Sequence, residues 1–150
     1  MKFGGLLIAV SDMKRAKAFY EQVMELKVMM DLGTHVSFEN GLGLQQDYQE
    51  MVGVELNACD KPDNFQLYFE TEDLDGWEEK LTAIADIKFL HRPKTYPWGQ
   101  RVMRFYDYDN YIIELSESME CVAKRYLAQG MTAEETAERT MYPVEFIRQL

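Results

Sequence analysis

Apolar and polar residues alternate along the chain in a pattern that predicts one strand, one helix and then three more strands. Residues 3–10 form a continuous apolar run, which is typical of a strand covered on both faces. Asp12 can cap an amphipathic helix over about 12–25. Asn40-Gly41 is a hairpin turn signal. It lies among three shorter strand patterns, at residues 26–31, 36–38 and 42–46.

The same order recurs after a connecting segment at residues 48–64, which has no clear periodicity. Residues 65–71 predict a strand, and Asp73 can cap the helix that follows. Arg92-Pro93-Lys94 is interpreted as a loop and Asp107-Tyr108-Asp109-Asn110 as a turn. Three strands are predicted around them, at residues 87–90, 100–106 and 111–116. Two copies of one βαβββ unit predict an α+β fold.

The pattern changes after residue 117 and predicts only helices. One helix is expected to end at Gly130, Thr132 and Glu135 form a capping-box pattern, and Pro143 can open a short final helix. We therefore divide the chain into a paired βαβββ domain at 1–117 and a helical appendage at 118–150. The appendage is acidic, which disfavours DNA binding and favours packing over the sheet, over a cavity or against a partner.

Composition and charge narrow the function classes. The formal net charge is −10 and no run of Lys and Arg is present, so neither nucleic acid nor an anionic membrane is an expected partner. The first apolar run is too short to span a bilayer and lacks a basic flank and a cleavage site. Cys59 and Cys121 lie far apart and are expected to be free thiols. These features predict a cytoplasmic protein.

Three segments carry a resemblance to a known family. They are residues 6–20 (LLIAVSDMKRAKAFY), residues 67–75 (LYFETEDLD) and residues 97–115, which run from PWGQR through the acidic turn to YIIEL. Taken together and in this order along the chain, they resemble the glyoxalase / bleomycin-resistance / extradiol-dioxygenase family, also called the vicinal oxygen chelate superfamily. The resemblance implies two βαβββ modules that form a cupped mixed sheet around a small-molecule cavity. It also implies a homodimer, because family members commonly pair.

Two positions depart from the family pattern. Met24-Glu25 stand where the family usually has Leu-Gly, and Tyr108 and Asn110 replace the usual Pro and Gly of the acidic turn. Asn tolerates the left-handed backbone conformation, so the turn is expected to form.

The resemblance also implies where a divalent metal would bind, because four strands each give one ligand in metal-dependent members. Those positions fall on Gly5, Gln66, Glu114 and a fourth residue, for which Gln45 is expected and Gly43 is the alternative register. One carboxylate, two amides and a gap are a weak set of donors, so no cofactor is expected. A divalent metal, if one bound, would use Gln66 and Glu114. His35 and His91 are expected to be exposed strand residues.

Glu114 has two interpretations, because a carboxylate in an apolar strand needs a partner. It forms an ion pair with Arg101 or Arg104, or it faces the ligand as a catalytic acid or base with a raised pKa. The expected cavity comprises Gly5, Gln45, Gln66, Trp98, Arg101 and Glu114.

Three functions follow from these expectations. The preferred one is metal-free binding of a small molecule in the cavity. The alternative is a metal-dependent lyase, isomerase or dioxygenase of the same superfamily. The third is an interaction subunit whose helical appendage recognises another protein.

Overall fold

The computed structural model describes residues 1–150, which divide into two compact units. The first unit comprises residues 1–63 and 107–111, and the second comprises residues 64–106 and 112–150. Each unit carries its own open, four-stranded mixed sheet. The predicted α+β fold with two βαβββ modules and C-terminal helices is therefore confirmed.

The first unit follows the predicted βαβββ order. Its sheet has the strand order β1-β4-β3-β2, in which β1 and β4 are parallel and the other pairs antiparallel. The strands are β1 (Leu6–Ala9), β2 (Val28–Asp31), β3 (His35–Phe38) and β4 (Leu42–Gln45). Helix α1 (Met13–Ala18) continues as a π-helical turn (Phe19–Val23), and a short helix α2 (Tyr48–Val52) lies in the connecting segment.

Strand β1 is covered on one face only, which corrects the expectation of burial on both faces. Ile8 and Val10 are buried, whereas Leu6 and Leu7 remain about 40% exposed. Successive strand residues point to opposite faces, so Leu7 lies on the uncovered face. Leu6 shares the face of Ile8 but is exposed as the first residue of the strand. The buried residues of this core include Ile8, Val36, Phe38, Leu44, Phe19 and Tyr20.

The two departures from the family pattern fall on left-handed backbone. Asn110 has φ 63° and its N–H donates to the Asp107 carbonyl, so the acidic turn forms as predicted. Glu25 takes φ 60° at the position where the family has Gly. A left-handed conformation costs an ordinary L-residue roughly 1–2 kcal/mol, so Glu25 adds local strain that glycine would avoid.

The second unit repeats the order and adds three helices. Its sheet has the strand order β5-β8-β7-β6, with β5 and β8 parallel. The strands are β5 (Gln66–Thr71), β6 (Lys88–Thr95), β7 (Arg101–Tyr106) and β8 (Ile112–Glu117). The helices are α3 (Leu74–Thr82), α4 (Met119–Ala128), α5 (Ala133–Thr140) and α6 (Val144–Ile147).

An aspartate caps the first helix of each module, as predicted. Asp12 Oδ1 accepts a hydrogen bond from Arg15 N at 3.0 Å, and Asp73 Oδ1 accepts one from Gly76 N at 2.9 Å. These bonds satisfy backbone donors that a helix leaves free at its N-terminus. The two caps give equivalent reference points for comparing the modules.

Strand β6 is longer than predicted, because it includes the Arg92-Pro93-Lys94 segment interpreted as a loop. The strand lies at the edge of the sheet, and its register with β7 shifts between His91 and Lys94. Proline lacks an N–H and is tolerated in strands at edges and bulges. The loop prediction was wrong because this strand needs no hydrogen bond from Pro93.

The C-terminal helices belong to the second compact unit. Thr132 and Glu135 form the predicted capping box at the start of α5. Thr136, Thr140 and Ile147 are at most 2% exposed, so α5 and α6 pack into the core of this unit. None of the helices is both long and apolar enough to cross a bilayer.

Candidate functional site

Strand pairing brings a row of four polar side chains together across the second sheet. Tyr68 lies opposite Glu114, Glu114 opposite Arg104, and Arg104 opposite His91. Directly opposite residues project from the same face of a sheet, as do residues two apart on one strand. Gln66 therefore shares this face, and we call these five residues the polar face.

Arg104 is the centre of the polar face. Its Nη2 donates to Glu114 Oε2, and its Nε donates to Gln66 Oε1 at 2.9 Å. Its Nη1 donates to the Tyr96 hydroxyl at 2.5 Å and lies 3.0 Å from His91 Nε2. Gln66 Nε2 closes the cluster with a 2.9 Å hydrogen bond to Glu114 Oε2. One guanidinium thus contacts every other charged or amide group of the cluster.

The ion pair explains why Glu114 can be buried. Glu114 is only 7% exposed, and an unpaired carboxylate at that depth would cost several kcal/mol. Of the two arginines predicted as partners, the structure selects Arg104. Arg101 lies an odd number of residues away on the same strand, so its side chain projects from the opposite face. There it pairs with Asp75 and Glu117 and takes no part in the polar face.

The polar face does not fit a divalent metal. The family resemblance implies Glu114 and Gln66 as the donors to a metal, but Arg104 already contacts Gln66 Oε1 and Glu114 Oε2. No group of three or more His, Cys, Asp and Glu side chains in the structure is arranged to hold a metal ion. The Arg104 guanidinium places a positive charge beside Gln66 and Glu114.

The equivalent row of the first unit has almost no polar side chains. The register of its strands pairs Leu7 with Gly43, Gly43 with Ser37, and Ser37 with Met30. Gly43 therefore occupies the position of Glu114, and the alternative register is the right one. Gln45 lies two residues further on.

Gln45 is buried and holds local contacts. Its Oε1 lies 3.0 Å from His35 Nδ1, and its Nε2 donates to the Gln46 carbonyl at 2.8 Å. His35 is half-buried, which corrects its expected exposure. These contacts give Gln45 a structural role within the first unit.

Gly5 allows close packing of two backbone segments. It takes φ 142°, and a Cβ there would lie 2.3 Å from the Gly41 carbonyl oxygen. The first unit also contains a groove of about 370 Å³ beside Gly5 and Gly43, lined mostly by apolar atoms. Gly5 thus serves backbone packing within the first unit. Gln66 and Glu114, two other residues of the predicted set, belong to the second unit.

Trp98 is held firmly at the tip of the β6–β7 hairpin. Gly99 takes φ 87° and its N–H donates to the Tyr96 carbonyl at 2.8 Å. A Cβ on Gly99 would lie 2.1 Å from the Tyr126 hydroxyl, so only glycine lets α4 approach this turn. The Trp98 ring stacks on Tyr96 with centroids 4.8 Å apart, and its Nε1 donates to Gln100 Oε1 at 2.9 Å.

A cavity of about 260 Å³ opens beside Trp98. The C-terminal segment supplies part of its wall, which agrees with one of the three packing alternatives expected for the appendage. The lining residues are Tyr68, Trp98, Gln100, Met119, Thr140, Met141 and Tyr142.

Sequence reasoning missed Tyr96 and placed His91 on the exposed surface, whereas His91 is half-buried and contacts Arg104. A usable signal existed in the acidic turn. Counting outward from that turn pairs Tyr106 with Ile112, and therefore Arg104 with Glu114. The same count would have distinguished Arg104 from Arg101.

A sequence model described as Glyoxalase-like domain matches residues 3–120. The chain therefore belongs to this family, and helices α5 and α6 lie beyond the matched region. A search of curated proteins found no significant match.

Solved structures share the fold. A protein of unknown function from Agrobacterium tumefaciens is 32% identical, with a TM-score of 0.71 over 79% of this chain and 94% of that one. A glyoxalase-related enzyme from Fulvimarina pelagi is 19% identical, with a TM-score of 0.65 over 78% and 88%. A lactoylglutathione lyase from Agrobacterium tumefaciens is 24% identical, with a TM-score of 0.58 over 78% and 93%.

Proposed function

We propose that this protein binds a small molecule on the polar face of its second unit and does so without a metal ion. The observation that supports this most directly is the Arg104 guanidinium, which contacts both Glu114 and Gln66. The family supplies the expectation of a ligand site on this sheet, and Arg104 supplies the reason for a metal-free one.

The polar face retains groups that a ligand could contact. Gln66 and Tyr68 are exposed at its rim, and His91 is half-buried. His91 Nδ1 lies 2.9 Å from the Arg92 carbonyl, so it donates there and leaves Nε2 as the acceptor facing Arg104. Side chains already fixed by such hydrogen bonds lose little freedom when a ligand arrives. Binding specificity would then come from a few oriented polar groups beside aromatic surface.

The alternative is a metal-dependent lyase, isomerase or dioxygenase of the same superfamily, with Glu114 as ligand or catalytic base. It would require Arg104 to leave a buried carboxylate. Separating such a pair leaves an uncompensated charge, which costs roughly 3–5 kcal/mol. The metal would have to repay that cost through Glu114 and Gln66, so we favour the metal-free function.

A ligand screen by thermal shift and native mass spectrometry tests the proposal. We expect at least one class of small molecule to raise the melting temperature of the wild-type protein. Gln66→Leu should abolish that response, whereas Gln149→Leu, at an exposed C-terminal position, should retain it. An equal response from both variants, or no response to any class, would count against the polar face as the site.

We further propose that the protein is a cytoplasmic homodimer without nucleic-acid or membrane partners. The acidic net charge of −10 supports the absence of phosphate-rich partners. Several apolar side chains of the first unit are exposed and would be covered by a second copy. They include Leu6, Leu7, Met29, Met30 and Leu32. Sedimentation equilibrium should give a dimer that Met29→Glu converts to a monomer, and a monomeric wild-type protein would refute this assembly.

A further inference from the structure

We propose that the cavity beside Trp98 is an aromatic cage for an organic cation, such as a quaternary ammonium group. The cage consists of Tyr68, Trp98 and Tyr142, with Met119 and Met141 at its sides. The inference rests on the proposed function, because it names the class of ligand that this side of the second unit takes.

The lining of the cavity suits a cation of small size. Three aromatic rings, two thioethers, one amide and one hydroxyl line it, and none of these groups is cationic. Aromatic faces carry the negative part of the ring quadrupole and attract ammonium groups, tryptophan most strongly. The volume of about 260 Å³ is below the range of roughly 300–1,000 Å³ of drug-sized sites, so a compact head group fits.

A carboxylate at the rim favours a cation over a neutral ligand of the same shape, and it acts against Lys94 Nζ and Arg104 Cζ, which lie 5.1 and 5.7 Å from the centroid of the Tyr96 ring. The Tyr68 hydroxyl donates to Glu70 Oε1 at 2.5 Å, which brings a carboxylate to the rim of the cage. Burial raises the pKa of the Tyr68 phenol, and the bond to Glu70 raises it further, so the ring stays neutral at pH 7. The net charge of −10 adds a long-range attraction for cations.

The hydrogen bonds of Trp98 leave its ring face as the group available to a ligand. Its Nε1 donates to Gln100 Oε1, and Gln100 Nε2 donates in turn to the Glu117 carbonyl at 2.8 Å. The indole N–H is therefore already used within the protein. One face of the ring stacks on Tyr96, which fixes the orientation of the other face.

Met141, at the end of α5, contributes a side chain to the cavity although its backbone is in the strained left-handed conformation. It ends α5 with φ 62°, and the residue is 72% exposed at the edge of the cavity. Glycine is the favoured residue at such a left-handed helix end. The chain instead places a flexible thioether over the cage, from a segment beyond the family-matched region at residues 3–120.

Isothermal titration of the full-length protein with two matched probes tests the cage. Choline and 3,3-dimethyl-1-butanol have nearly the same shape, but only choline is charged. We expect saturable binding of choline and at least tenfold weaker binding of the neutral alcohol. Trp98→Leu should weaken choline binding at least tenfold, whereas Trp77→Leu, on α3 under Lys80, should leave it unchanged.

Met141→Gly separates binding from folding. It should raise the melting temperature, because it relieves the left-handed strain, and should weaken choline binding several-fold. Choline affinity that survives Trp98→Leu, or that merely equals the affinity for the neutral alcohol, would overturn the cage. In that case, library ligands that still depend on Gln66 would leave the proposed function intact. The loss of both responses would overturn both proposals.

Discussion

The two units share one strand order but differ in what they place at equivalent positions. Across the second sheet, the paired row is Tyr68, Glu114, Arg104 and His91. Across the first, it is Leu7, Gly43, Ser37 and Met30. The row of the first unit borders an apolar groove, whereas the row of the second unit contains an ion pair with its hydrogen bonds. The duplicated backbone therefore specifies positions, and the side chains at those positions determine whether a site exists.

The units also bury a carboxylate in different ways. In the second unit, Glu114 has a guanidinium partner. In the first, Asp107 accepts a 2.6 Å hydrogen bond from the Tyr20 hydroxyl and two more from the N–H groups of Asp109 and Tyr111. Burial raises the pKa of Asp107 to about 6, although these hydrogen bonds oppose the shift. The stability of the fold should therefore depend on pH through Asp107, whose carboxylate is partnered by neutral hydrogen-bond donors alone.

The largest expected effect comes from removing the cation of the second unit. Arg104→Met should lower the free energy of unfolding by roughly 3–5 kcal/mol, because it leaves Glu114 buried and unpaired. Adding Glu114→Leu should restore most of that loss. Urea denaturation of the wild type, both single variants and the double variant measures the coupling. A loss below about 1 kcal/mol in Arg104→Met would place the pair with ordinary surface ion pairs.

The next effect is the pH dependence of the first unit. Because the pKa of Asp107 is about 6 when folded and about 3.8 when unfolded, the folded state binds more protons between these values. Its contribution to stability is therefore complete below pH 3.8 and is lost as the pH rises to 6, by up to roughly 3 kcal/mol. Asp107→Asn should remove this decrease from the plot of unfolding free energy against pH, measured by denaturation from pH 3.5 to 8. The expected size follows from about 1.4 kcal/mol for each unit of pKa difference. An unchanged slope in the variant would assign the dependence to another group.

Gly5→Ala tests whether the first unit could carry a side chain at Gly5, the position equivalent to Gln66 in the second unit. A Cβ there would lie 2.3 Å from the Gly41 carbonyl oxygen, so we expect a loss of roughly 1–3 kcal/mol in unfolding free energy. Gly4→Ala is the matched control, because a Cβ at Gly4 meets no atom within 4 Å. Equal stability of the two variants would show that the strands separate at little cost.

The smallest effect should come from Glu25→Gly, which restores the family residue at a left-handed position. We expect a gain of about 0.5–1 kcal/mol in stability from relief of the φ 60° strain. Glu21→Gly, within the π-helical turn, should instead cost about 1 kcal/mol. Thermal unfolding shows whether each variant is more or less stable than the wild type. A lower melting temperature in Glu25→Gly would mean that the Glu25 side chain contributes more stability than its backbone strain costs.

Much of the fold could be predicted because the local signals agreed. The caps at Asp12 and Asp73, the acidic turn and the capping box at Thr132 all formed where the residue types indicated. Helix α2 was missed because it is one turn long and Asp47 provides no side-chain cap. The π-helical turn after α1 has the same apolar spacing as an α-helix, so periodicity could not reveal it.

The site was only partly predictable. Counting from the helix cap at Asp73 named Gln66, and the closing strand named Glu114. The structure places both on one face of the second sheet, because Gln66 lies two residues before Tyr68, which pairs with Glu114. The count could not decide between Gln45 and Gly43, since a shift of two residues keeps the same face of the strand. Arg101 was wrongly grouped with Glu114, because faces alternate along β7 and only the hairpin register identifies Arg104. The contribution of Met141 and Tyr142 depends on how helices α5 and α6 pack, which no local pattern encodes.

The central proposal is that the Arg104 guanidinium occupies the position at which the family resemblance implies a metal ion. Metal analysis of freshly purified protein, followed by calorimetric titration with Zn²⁺, Ni²⁺, Mn²⁺ and Fe²⁺, tests it most directly. The account predicts less than a tenth of an equivalent of bound metal (order of magnitude) and no saturable heat for the wild-type protein. One equivalent of a divalent ion that is lost in Glu114→Ala would contradict the claim.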